Sequence, residues 1–269
     1  MIHRHTGIAG DTPVNAYAVE GHDACVVVDG LLAVSDARGL REYVEALGKP
    51  LTAVVVTHAH PDHYGGLADL LAGREDIPVH ATAGVAEAIV RDDDTKETIL
   101  RPMFGDEWAA QRRFPDAIVG DGAIVGEGEL ALRVTDLGPG ESPHDSIWQL
   151  VVDPRVVFSA DVAYDRHHCY LADGFHAHWL ENIARLRREL PAGATLHPGH
   201  GEPCGLEVLD WQEGYIDTML AAVAEADWSD ADAARAAVAA RMREYLPSES
   251  LAFLMELSID PLAAELVAT

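Results

Sequence analysis

The chain has 269 residues, 48% of them hydrophobic and 24% charged, enough to bury one large core or two small ones in an ordinary globular protein. Forty-five acidic residues against 19 basic ones leave a formal charge of −26, a surface that repels phosphate backbones and anionic lipid and so speaks against nucleic-acid and membrane partners. No apolar run is long enough to span a bilayer, Met1-Ile2-His3-Arg4-His5 is followed by no signal-peptide core, and Cys25, Cys169 and Cys204 show no CxxC spacing, so the expected location is the cytoplasm.

In chain order, Asn15-Ala16-Tyr17-Ala18-Val19 and Ala24 through Gly30 read as a hairpin turning at Glu20-Gly21-His22-Asp23. Leu40, Tyr43, Val44 and Leu47 mark an amphipathic helix near 36–47. Leu51-Thr52-Ala53-Val54-Val55-Val56-Thr57 is a continuous run suited to a strand buried on both faces. Gly65-Gly66 leads into a short helix near 66–72, a strand over 77–81 and a helix over 83–91. Residues 92–114, with Met103, Phe104 and Trp108, read as an irregular flap or lid. Strands near 129–136, 146–152 and 155–159, a helix near 177–189 and a strand near 194–197 follow, and beyond 205 the spacing is helical throughout. Alternating strands and helices with hairpins among them imply an α/β layered fold. A division into 1–205 and a helical extension over 206–269 is expected, the extension capping the site, forming a homodimer surface or packing on the core.

The chemistry-bearing segment is Thr57-His58-Ala59-His60-Pro61-Asp62-His63, at the carboxyl end of a buried strand, where open α/β sheets bind ligands. His58 and His60 can point the same way if the extended backbone persists. Asp62 and His63, beyond Pro61, turn elsewhere, so one loop can feed two adjacent metals. Imidazole and carboxylate without thiolate favour Zn, with Fe or Mn as alternatives, over a structural Cys-type site.

This HxHxDH motif, the strand before it and Gly65-Gly66 after it resemble the metallo-β-lactamase superfamily of metallohydrolases, in its glyoxalase II, lactonase and thioesterase branch. The resemblance extends from Asn15-x-Tyr17 and Val28-Asp29-Gly30 through His200. It implies a four-layer αβ/βα sandwich with the site at the sheet edges. It further implies that His58, His60 and a later ligand hold a first divalent metal, and that Asp62, His63 and a later histidine hold a second. Asp161, after Val156-Val157-Phe158, takes the bridging position, and His200, in His197-Pro198-Gly199-His200-Gly201, completes the second site, with His197 structural. For the first metal's third ligand the gapless match gives Glu141, within Pro139-Gly140-Glu141-Ser142-Pro143-His144; a shift of the loop gives His144 instead.

Such a pair of cations would activate a water for hydrolysis of an ester, thioester or lactone, with Asp62 handling the nucleophile's proton and Tyr164 donating to a carbonyl oxygen. Tyr64, Trp108, His167, His168, Tyr170 and His178 are further candidates for contact with a small-molecule substrate. Asp161 where a cysteine is common, and His60 where oxygen-reducing members carry Glu, set those branches aside. The absence of an Arg and Lys cluster weakens a glutathione thioester. Two rival readings are a mononuclear iron dioxygenase acting on persulfides and a non-catalytic ligand-binding protein on a degenerate metallohydrolase fold.

Overall fold

The structure, a computed structural model, describes residues 1–10 and 12–267, the side chain of Ala9 excepted. A first sheet takes its strands in chain order: β1 (Ile2–Ala9), β2 (Thr12–Glu20), β3 (Cys25–Val28), β4 (Leu51–Val55), β5 (Val79–Thr82) and β6 (Ala117–Val119). β1 to β3 are antiparallel and β3 to β6 parallel. The parallel crossovers are made by α1 (Val34–Ala46), the short turns α2 (Pro61–Tyr64) and α3 (Leu67–Leu70), and α4 (Ala83–Phe104). The second sheet has the order β11-β10-β9-β8-β7, from β7 (Ile124–Val125), β8 (Leu132–Gly138), β9 (Asp145–Leu150), β10 (Val156–Phe158) and β11 (Thr195–His197). α5 (His176–Glu189), α6 (Glu207–Glu225), α7 (Ala231–Tyr245) and α8 (Ala252–Leu266) complete the chain.

Three cores separate four layers. Tyr17, Val28, Val55, Val134, Trp148 and Phe158 fill the space between the sheets. Leu40, Val54, Leu67, Val79 and Ile89 join the first sheet to α1, α3 and α4. Ile147, Val157, Leu196, Ile183, Ile216, Met242 and Met255 join the second sheet to α5 through α8. This is the αβ/βα sandwich expected. β4 explains why its sequence shows no alternation: Val54 faces the helices and Val55 the other sheet, so both faces are buried.

Two elements differ from the sequence reading. α4 runs to Phe104 instead of ending at Arg91, so most of the expected flap is ordered helix. Asp92-Asp93-Asp94 interrupts the apolar periodicity there, yet Asp93 is buried and accepts hydrogen bonds from Tyr64 Oη at 3.1 Å and from Arg112. A polar row facing an ion pair looks like a loop to a hydrophobicity pattern. β1 was not anticipated, because Ile2-His3-Arg4-His5-Thr6 is an edge strand paired on one side.

Candidate metal centre

The two sheets meet where their strand ends touch. Ser146 of β9 donates its backbone N–H to Thr57 O at 2.9 Å, and Asn15 of β2 donates to Gly199 O at 2.7 Å. Between these contacts lie the loops after β4, β8, β10 and β11. Residue 60 keeps an extended backbone (φ −82°, ψ 141°), and Pro61 then starts α2, its fixed φ and missing N–H suiting a first helical position. His58 and His60 therefore project from extended chain, while Asp62 and His63 project from a helical turn.

The β8–β9 turn places the two candidates for the first group differently. Asp145 accepts from the backbone N–H of Glu141 at 2.6 Å and of Ser142 at 3.2 Å, and from Ser142 Oγ at 2.6 Å. This cap points Glu141 into the site. His144 is turned outward: its Nε2 lies 2.7 Å from Asp136 Oδ1, and its ring rests so closely on Gly84 that a Cβ there would sit 2.1 Å away. Asp161 follows Ala160, whose φ of +43° is unfavourable for a residue with a Cβ. Beside it, a Cβ on Gly199 would lie 2.0 Å from Asp161 Oδ1 and 2.6 Å from His63 Cε1, so only glycine lets that loop approach and carry His200 in.

Two groups of potential ligands result: His58, His60, Glu141 and Asp161, and Asp62, His63, Asp161 and His200, each with its ligand atoms within 4.8 Å of one another. Asp161 belongs to both, its Oδ2 lying 3.7 Å from His58 Nε2, 3.4 Å from His63 Nε2 and 3.2 Å from His200 Nε2. Glu141 Oε2 is 2.9 Å from His60 Nδ1 and 3.6 Å from His58 Nε2, and Asp62 Oδ2 is 3.3 Å from His200 Nε2. His58 Nε2, His63 Nε2 and Asp161 Oδ1 are buried without a hydrogen-bond partner. Buried polar atoms rarely stay unpaired, and these share one small space.

The far sides of the imidazoles are held. His63 Nδ1 lies 2.8 Å from Asp29 Oδ2, His58 Nδ1 3.1 Å from Thr57 Oγ1, His60 Nε2 3.0 Å from Asp173 Oδ2, and His200 Nδ1 contacts Pro13 O. Each contact leaves the other ring nitrogen aimed into the centre, as metal-binding histidines require. Asp29 itself sits at φ +64° and also accepts from Thr57 N and Oγ1, tying β3 to the motif loop. Asp29, Asp145 and Asp173 were not identified from sequence as site residues; Asp29, ending a β-branched strand, carried the only local signal.

The charges fit a cation. Burial pushes the Glu141 carboxyl up to about 8, against the pull of His60. Burial also opposes ionisation of Asp62 and Asp161, but His63 and His200 outweigh it and hold both carboxyls below the usual range. His63 and His60 are held protonated against burial by Asp161 with Asp29 and by Glu141 with Asp173, and His200 is raised to about 10 by Asp161 and Asp62 in the same way. His58 is driven down by burial and by His63. Protons on imidazoles thus compensate a buried carboxylate excess that divalent cations would neutralise directly. The residues present fit such ions.

Above Asp62, Asp161 and His200 opens a cleft of about 200 Å³, walled by the later half of α4 and the start of α8. Tyr164 and Tyr170 line it. Tyr164 Oη donates to Glu141 Oε1 at 2.9 Å and Asp161 Oδ2 at 3.2 Å, and Tyr170 meets the His60 ring edge to face. The other contact candidates lie elsewhere. Tyr64 and Trp108 are buried around Arg112, His168 binds Tyr215 Oη and Ser248 O, His167 turns to Asp165 O, and His178 is exposed on α5. His197 packs between Tyr17 and Phe158 outside both groups.

A strand-end centre of imidazole and carboxylate at the junction of an αβ/βα sandwich defines a metallohydrolase-type protein. Residues 9–200 match the family model described as the metallo-beta-lactamase superfamily, and the chain belongs to that superfamily. It is 28% identical over 182 residues to a hydroxyacylglutathione hydrolase of Rhodopseudomonas palustris (strain HaA2), covering 66% of this chain and 60% of that protein. The match therefore spans less than two thirds of that relative's length. It is also 28% identical over 198 residues to the probable metallo-hydrolase YqgX of Bacillus subtilis (strain 168), covering 71% and 87% respectively. Among solved structures, a metallo-beta-lactamase from Pontibacter korlensis shares the fold, with a TM-score of 0.65 at 19% identity over 80% of this chain and 94% of that one.

Proposed function

We propose that this chain is a metal-dependent hydrolase that cleaves an ester, thioester or lactone of a small molecule with water. The observation that carries the reading is the pair of buried ligand groups sharing Asp161 at the floor of an open cleft. His58, His60 and Glu141 would hold one cation and Asp62, His63 and His200 the other, with Asp161 between them. The donor set suits Zn, and the carboxylate of Glu141 extends the choice to Fe or Mn. Such ions, when bound, supply Lewis acidity toward a carbonyl oxygen and make hydroxide available near neutral pH.

The chain's own groups do the rest. Asp62 is ionised and faces the cleft, placed to orient the nucleophile and accept its proton. Burial, with Asp161 and Glu141 nearby, keeps the Tyr164 phenol protonated, so it can redirect its hydrogen bond from Glu141 to a substrate oxygen. Cys169 offers no competing nucleophile, because burial holds its thiol protonated.

Metal analysis with anomalous scattering and a panel of esters, thioesters and lactones tests the reading. The expected result is two metals per chain, with Glu141 and not His144 at the first, and turnover that Asp62→Ala abolishes without unfolding the protein. Metal-loaded protein that hydrolyses nothing in the panel, or an Asp62→Ala variant with full activity, overturns it. One iron per chain with oxygen uptake would instead support the persulfide dioxygenase.

A further inference from the structure

The walls of the cleft do not match its floor. On one side α4 presents Ile99, Leu100, Met103 and Phe104, and on the other α8 presents Phe253 and Leu257. Ile99, Met103, Phe253 and Leu257 are 54%, 62%, 40% and 57% exposed. Twelve large hydrophobic side chains are exposed among the described residues, so a third of them crowd this one opening. Exposed apolar surface concentrated at one place marks a binding surface, and in a chain of charge −26 the rest of the exterior is well solvated. Lys96 is the only lysine or arginine lining the cleft among the described residues; it stands at the edge near Asp92 and Asp173, and its charge helps hold the Asp173 carboxyl down.

We infer that the substrate carries a linear hydrocarbon chain, laid between α4 and α8, with its scissile bond on the ligand floor and an anionic or strongly polar group beside Lys96. This deepens the proposed hydrolase and rests on it. Because Asp62, Asp161, Tyr164 and His200 form the same cavity, whatever covers the walls is continuous with the reacting group, which favours a substrate chain over a second protein. A peptide-like thioester with several carboxylates finds one lysine and no arginine on these walls, whereas an aliphatic chain finds an apolar face on each side. Each methylene withdrawn from water strengthens binding about threefold to fourfold. Affinity should therefore climb with chain length until the chain passes the last apolar turn of α4.

The test pairs binding with turnover. Decanoate is titrated calorimetrically into chelator-treated protein, and p-nitrophenyl esters from acetate to dodecanoate are compared with metal-loaded protein. Expected are decanoate binding at least tenfold tighter than hexanoate, and kcat/KM rising with chain length mainly through KM. Met103→Ser and Leu257→Ser should each lower the decanoate-to-butyrate ratio of kcat/KM several-fold, with the midpoint of thermal unfolding kept as the check on folding. Lys96→Gln should weaken decanoate binding and leave the length dependence in place. Esters cleaved with no chain-length preference, together with no decanoate binding, overturn the inference while the hydrolase stands. Decanoate binding with no hydrolysis of any ester, thioester or lactone by metal-loaded protein supports the chain site and overturns the hydrolase. Serine variants that change the oligomeric state and not the length preference would make the walls a contact between copies of this chain and overturn the inference.

Discussion

The floor and the walls of the cleft are built on opposite principles. Every histidine of the floor is fixed from behind by a carboxylate, a hydroxyl or a carbonyl, and two of its supports, Asp29 and Ala160, occupy left-handed backbone. Left-handed backbone in a residue with a Cβ persists only where the surrounding structure over-determines it. The walls are helix: Leu100 and Phe104 pack back on Leu32, Ala33 and Trp108, while Ile99, Met103, Phe253 and Leu257 project into solvent. Chemistry is therefore held by strained loops between two sheets, and selection by helix faces that can change without disturbing them. Substitutions should sort accordingly: floor changes alter metal content, wall changes do not.

Asp161→Ala should give the largest effect, because one carboxylate serves both groups. Its loss leaves His58, His63 and His200 facing one another without their shared anion. We expect fewer than two metals per chain and activity reduced beyond the roughly 10- to 100-fold range of residues that merely support ligands. Chelation of the parent should lower its thermal midpoint, since metal binding stabilises only the folded state, and should move Asp161→Ala much less. Equal shifts in parent and variant would show that Asp161 does not hold the ions.

Gly199→Ala comes next. The added methyl would sit 2.0 Å from Asp161 Oδ1, so either the β11 loop or Asp161 must move. Overpacking of this kind costs about 1–3 kcal/mol, visible as a lower unfolding midpoint, and metal content should fall at the group containing His63 and His200. Met103→Ser on the wall is the contrasting case. An exposed substitution away from the core changes stability by about 0.5 kcal/mol or less, and metal stoichiometry should equal the parent's. A wall variant that lost metal would erase the distinction between the two regions.

Much of this division could be read from the residues in order. The floor announced itself because His58, His60, Asp62 and His63 share one short loop after a strand whose β-branched run has no other use than double burial. Asp161, Glu141 and His200 were reachable only through the family's pattern, since an aspartate after three apolar residues looks like any turn. The choice between Glu141 and His144 was out of reach, because it depends on Asp145 capping a turn and on Gly84, sixty residues away, leaving room for an imidazole. The walls were legible as apolar helices but not as walls. Met103 and Phe104 suggested a flap, while nothing in the spacing of Phe253 and Leu257 tells which face of α8 remains outside the core.

Asp173→Asn should have the smallest effect on the floor. Asp173 holds His60 Nε2 at 3.0 Å from the loop before α5, and its own carboxyl, which burial would raise, is lowered chiefly by His60. Asparagine keeps an acceptor in place but removes the charge, so His60 retains its orientation and loses part of its basicity. Support of this kind is worth about 10- to 100-fold in metal affinity, and keeping the hydrogen bond puts the variant near the lower end. A competition titration with a zinc-buffering chelator should find about tenfold weaker binding for one ion and an unchanged constant for the other, because Asp173 approaches only the group containing His58, His60 and Glu141. If both constants fall together, Asp161 couples the two groups so tightly that they titrate as one site. The floor would then be a single cooperative unit, and the order of these effects would have to be drawn from Asp161 outward.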